Sequence, residues 1–98
     1  MLVKIHSSLR NVLAICDKEL IGKTFTEGQR QIVINPHFFG GEEKSEKEIH
    51  ELIQMGAAED YTFNIVGKKA VSIALKVGIV KPEGIIKIKG VPIALVLL

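Results

Sequence analysis

The sequence predicts an α+β fold: a mainly antiparallel sheet of four to five strands with two consecutive helices packed on one face. Two observations carry this. Short apolar runs of strand type occupy both ends of the chain, and between them lie a marked helix start and two stretches with helical spacing. Glycine and proline turns separate the runs at each end.

At the start, Leu2, Val3 and Ile5 and then Val12 to Cys16 are apolar runs divided by Ser7 to Asn11, which reads as an antiparallel hairpin. A turn near Ser8 or Leu9 makes paired residues sum to about 17 or 18 and sets Cys16 opposite Met1 or Leu2, with His6 at the far end. Asp17 before Lys18 to Ile21 predicts a capped helical turn stopped by Gly22, and Lys23 to Thr26 extends again. Gln29 to Asn35 reads as a third strand closed by Asn35-Pro36.

Ser45 with Glu48 three residues on is a capping box, in which hydroxyl and carboxylate each satisfy a backbone N–H that the first helical turn leaves unpaired. Ile49, Leu52, Ile53 and Gly56 follow on one side, with Gly56 as the predicted stop. Tyr61 to Phe63 reads as an extended connector. Asn64 then caps a second helix through Val77, with Val66, Ala70, Ile73, Ala74 and Val77 on one face and Gly78 at its end. Lys81 to Gly84 is a turn, Ile85 to Lys89 alternates apolar with basic, and Gly90-Val91-Pro92 turns into a last strand. The unbroken run Ile93 to Leu98 lacks alternation, so it belongs in the middle of the sheet, buried on both faces.

The 98 residues, 47% of them hydrophobic and 24% charged, predict one domain over residues 1–98 and argue against a disordered chain. The apolar run Val91 to Leu98 is too short to span a bilayer, and Lys4, His6 and Arg10 interrupt any signal-like segment, so no membrane association and a cytoplasmic location are expected. One cysteine excludes an internal disulfide or a cysteine-built zinc cage within one chain. The net charge of +2 hides an asymmetry: seven acidic and two basic residues between 42 and 60, then one acidic and six basic between 61 and 98. Few Asn and Gln beside many Ile and Lys lean toward a heat-adapted source.

No motif assigns an activity. Cys16 beside Asp17 is a candidate nucleophile, with His37, or His50 on the first helix, the histidine that tertiary folding would have to bring near; otherwise Cys16 is a buried apolar residue and Asp17 a cap. No two histidines have a metal-ligand spacing, and neither metal nor cofactor is expected. Phe38-Phe39-Gly40-Gly41 offers a loop whose glycines, Gly40 and Gly41, allow close approach of a ligand or simply a turn anchored by two phenylalanines. Asn64, Gly67, Lys68 and Lys69 suggest an anion at a helix start, without the spacing of a nucleotide triphosphatase loop. Lys87 and Lys89, two apart on an alternating strand, add to a basic C-terminal half able to meet a phosphate backbone, although the chain has few aromatics for base stacking.

Ala14-Ile15-Cys16-Asp17 with Leu20-Ile21-Gly22-Lys23, then Phe39-Gly40-Gly41-Glu42, Asn64 to Val71 and Gly90-Val91-Pro92, in this order, resemble the small archaeal family known as domain of unknown function 424. The resemblance spans nearly the whole chain and implies an archaeal cytosolic protein; it brings no catalytic residue or cofactor. Family members often carry polar residues after the last Gly-Val-Pro, where this chain has Ile93, Ala94 and Leu95, which argues against a polar site there. The expected function is that of a non-enzymatic binding module contacting RNA or a ribonucleoprotein through the basic half. The alternatives are a protein-interaction or self-association module using the acidic stretch 42–60, with a protein partner or a homo-oligomer, and an enzyme built on Cys16.

Overall fold

The computed structural model describes residues 1–97. Its frame is a six-stranded sheet in the order β5-β1-β2-β6-β8-β7, made by β1 (Leu2–His6), β2 (Val12–Cys16), β5 (Glu42–Glu43), β6 (Thr62–Val66), β7 (Ile86–Ile88) and β8 (Val91–Val96). A separate antiparallel ribbon joins β3 (Thr24–Glu27) to β4 (Arg30–Val33). Three α-helices complete the fold: α1 (Pro36–Phe39), α2 (Glu46–Ala58) and α3 (Lys68–Val77).

The predicted fold class is thereby corrected. The main sheet is mixed, because β2 runs parallel to β6, and it has six strands rather than four or five. The cause is one segment. Thr62 to Val66, expected as a connector and a helix cap, is an inner strand paired to β2 on one side and β8 on the other. Its sequence alternates Phe63 and Ile65 toward the helices with Asn64 and Val66 toward the opposite face. The two long helices are thus separated by a strand, as two parallel neighbours joined through a helix require.

Alternation along the strands divides the core between two layers. Val3, Leu13, Ile15, Phe63, Ile65, Ala94 and Val96 meet Ile49 and Ile53 of α2 and Ala70, Val71, Ile73 and Ala74 of α3. On the other face Ala14, Cys16, Val66, Ile88 and Ile93 meet Ile34 and Phe39, which the ribbon and α1 bring over the sheet. That second cover was not expected from the sequence.

Several local readings hold. The first hairpin pairs Leu2 with Cys16, a sum of 18. Both halves of the capping box form, Glu48 N–H donating to Ser45 Oγ at 3.2 Å and Ser45 N–H to Glu48 Oε1 at 3.0 Å, and these bonds hold the Glu48 carboxyl below its usual range. Gly78 closes α3 in a left-handed conformation. Others need correction. Gly56 does not stop α2, which continues to Ala58; it lies buried in the helix where a Cβ would come within 3.0 Å of the Phe63 ring. The turn before the last strand is Lys89-Gly90, both at positive φ, so Val91 and Pro92 already belong to β8. Lys89 therefore leaves the strand that carries Lys87, and the two are not neighbours on one sheet face. The final run does sit inside the sheet, yet Leu95 is exposed and only part of it is buried on both faces; Leu98 lies outside the described residues.

Candidate functional site

Because β2 and β6 are parallel, their C-terminal ends lie side by side, and α3 begins where they stop. In α/β sheets this is where helix N-termini commonly receive anions. Here the anion comes from the chain itself. Asp17, which is 3% exposed, accepts from Lys69 N–H at 3.0 Å through Oδ2 and from Ala70 N–H at 2.9 Å through Oδ1. The backbone fixes the same junction: Asp17 N–H donates to Val66 O, and Gly67 N–H donates to Pro92 O. Gly67 has φ +113, and a Cβ on it would overlap the Asp17 carboxyl group, so this turn needs glycine for both its conformation and its space.

The residues expected to hold an anion are therefore dispersed in role. Asn64 is a half-buried β6 residue rather than a cap, and the N–H groups at the start of α3 are bonded to Asp17. Lys68 and Lys69 project from the first turn of α3 and are exposed. The sequence expected Asp17 to cap the turn that follows it; that 3-10 turn, Lys18–Leu20, receives no bond from the Asp17 side chain.

Cys16 is fully buried among apolar residues, with Phe39 and Ile34 over it. Burial, and then the neighbouring Asp17 charge, push its thiol from 9.0 up to about 11, the opposite of what a nucleophile needs. His37 is exposed on α1, where its carbonyl accepts from Lys4 Nζ at 2.8 Å, and it is absent from the cluster around Cys16. These three candidates are not brought together as a catalytic group.

The glycine pair after the phenylalanines serves the chain's own packing. A Cβ on Gly40 would overlap the Pro36 carbonyl, and one on Gly41 the Val3 carbonyl of β1. Phe39 is buried, while Phe38 stacks on His6 at 4.5 Å, whose Nε2 bonds the Phe38 carbonyl. Four carboxylates of the acidic stretch are paired, two of them by lysines from elsewhere in the chain: Glu43 pairs with Lys18 at 2.8 Å, Lys44 with Glu42 at 3.1 Å and Glu48 at 3.9 Å, and Glu46 with Lys76 at 3.8 Å.

A groove of about 670 Å³ opens between α3 and the β7–β8 hairpin. Its apolar lining includes Val71, Leu75, Ile85 and Pro92, and Lys68, Lys76 and Lys87 stand around it with no carboxylate side chain lining it among the described residues. Ser72 and Gly90 complete its polar and backbone surface. The sequence held a partial signal for it: Val71 and Leu75, one helical turn apart, lie beside the stripe that the sequence assigns to the core, and they line the groove while Val71 is buried in that core and Leu75 packs on it. Lys69 follows Lys68 on the helix, and Lys89 precedes Gly90 at the hairpin tip, where its N–H donates to Glu27.

Fold and site together define a small mixed α/β fold, with helices on one face of its sheet and a ribbon on the other, carrying a lysine-rimmed apolar groove. The chain belongs to the family DUF424, described as a protein of unknown function, whose model matches residues 5–98. It is similar to a solved structure described as an uncharacterized conserved protein from Methanopyrus kandleri, with 25% identity and a TM-score of 0.84 over 96% of this chain and 87% of that one. No curated protein matches significantly. Among the described residues no helix is long and apolar enough to cross a membrane.

Proposed function

We propose that this chain is a non-enzymatic binding module that contacts RNA or a ribonucleoprotein through its basic C-terminal half. The observation that carries the reading is the disposition of four lysines. Lys68 and Lys87 stand on one groove, Lys69 adjoins Lys68, Lys89 sits at the tip of the hairpin that forms the groove wall, and all four side chains are exposed with no ion pair among the described residues. Lysines left without carboxylate partners, in contrast to Lys18, Lys44 and Lys76, form a surface suited to phosphate oxygens. The burial of Cys16 supports the non-enzymatic side of the reading.

Binding of a short single-stranded RNA, followed by fluorescence anisotropy across salt concentrations, tests it. Lys69→Glu combined with Lys89→Glu leaves the groove lining intact and is expected to weaken binding. The log–log salt slope should flatten by about 0.7 for each phosphate that is no longer neutralised. Affinity and slope unchanged in the double variant remove this surface as the place where RNA binds.

A further inference from the structure

The groove has a chemistry that the lysines alone do not describe. Its floor, Val71, Leu75 and Ile85, is aliphatic, and among the described residues no aromatic or arginine side chain lines it. Bases of a single strand are ordinarily held by stacking on aromatic or guanidinium planes, and this floor supplies neither. Aliphatic side chains arriving at helical spacing are the better match to such a surface. The charges agree: Lys68 and Lys76 are eight residues apart on α3, about 12 Å along its axis, with Lys87 across the groove. Carboxylates two turns apart on an incoming helix have nearly the same separation. Lys76 is held only by its 3.8 Å pair with Glu46, both groups being well exposed, so it is free to exchange partners.

We propose that this groove docks an acidic amphipathic helix from a protein partner, with apolar side chains on Val71, Leu75 and Ile85 and carboxylates on Lys68, Lys76 and Lys87. It rests on the ribonucleoprotein reading, to which it assigns the protein component. A second copy of this chain does not fit the role. The exposed residues of its own acidic helix are Glu46, Lys47, Glu48, Glu51, Gln54 and Ala58; of its large apolar side chains Ile49 and Ile53 are buried and Leu52 packs on its own core, which leaves Met55 alone partly exposed and most of the floor unfilled.

The test is a titration of the ¹⁵N-labelled full chain with two synthetic peptides of identical composition and with a short oligouridine. One peptide places leucines and glutamates at helical spacing; the other is scrambled. Amide shifts at Val71, Leu75 and Ile85 are expected with the helical peptide, and binding of the scrambled one should be weaker by about tenfold. Leu75→Gln should weaken the helical peptide about tenfold while leaving the oligouridine unaffected, and Lys76→Glu, an exposed change that leaves the core intact, should also weaken the helical peptide about tenfold. Equal binding of both peptides, or no response of the groove to either, overturns the inference. If oligouridine displaces the peptide and shifts the same floor residues, the groove is a nucleic-acid site; the inference then fails and the RNA reading stands. Should oligouridine also leave the whole chain unshifted, both fail.

Discussion

Cys16 and Asp17 are adjacent in sequence but work in different layers. The thiol fills a pocket between the sheet and α1, while the carboxylate holds the first turn of α3. Burial first, and the Asp17 charge second, keep the thiol protonated up to about pH 11, whereas in the unfolded chain it ionises near its ordinary 9.0. The folded state therefore holds its proton more tightly. The stability from this difference is fully present below pH 9.0 and is lost as pH rises from there toward 11. Two pKa units correspond to no more than about 2.7 kcal/mol. Urea midpoints across that window should fall more steeply for the native chain than for Cys16→Ala. Iodoacetamide at neutral pH should leave native Cys16 unmodified and label it only after denaturation; rapid labelling of the native protein would contradict its burial.

The two long helices begin by the same physics and differ in how far apart the partners lie. At α2 the capping residues are three apart, so Ser45 and Glu48 reveal the helix start by themselves. At α3 the cap comes from a residue 52 positions earlier, and the sequence offers in its place Asn64, which has the right side chain but lies in a strand. Side-chain type marks a local cap; a remote one exists only once β2 and β6 are aligned. Gly67 is the visible trace of that arrangement, since the buried carboxylate takes up the space of its missing Cβ. Gly67→Ala is accordingly expected to destabilise by roughly 2 to 4 kcal/mol, combining a backbone region that alanine avoids with displacement of the Asp17 carboxylate. Gly78→Ala, at φ +90 with open space around it, should cost only the conformational part, about 1 kcal/mol. Chemical denaturation of the two variants separates the contributions, and equal losses would mean that the packing of Gly67 against Asp17 contributes nothing.

At the scale of the molecule, one strand that the local pattern hides changes the topology while the composition of the core survives. Val12 to Cys16 and Ile93 to Val96 announce themselves by unbroken apolar runs, but Thr62 to Val66 is shorter in signal, interrupted by Asn64 and followed at once by Gly67 and a lysine pair that suggest a helix start. Strand order and direction depend on pairings that no local pattern records, and so does the groove, whose walls come from α3 and a hairpin some ten residues further on. What the sequence does carry is the weight of the last strand. β8 is bonded to β6 on one side and β7 on the other, and it buries Ile93 on the ribbon side and Ala94 and Val96 on the helix side. Burial of Ile93 and Val96 alone contributes about 3 to 6 kcal/mol, against a total stability of order 5 to 15 for a chain of this size. Removing residues 93–98 also strands β7 and strips β6 of one ladder. The shortened chain is therefore expected to lose its cooperative thermal transition by circular dichroism. A sharp transition near that of the intact protein would mean that β1, β2, β6 and the two long helices form a self-sufficient core, and that the groove wall is an addition to it.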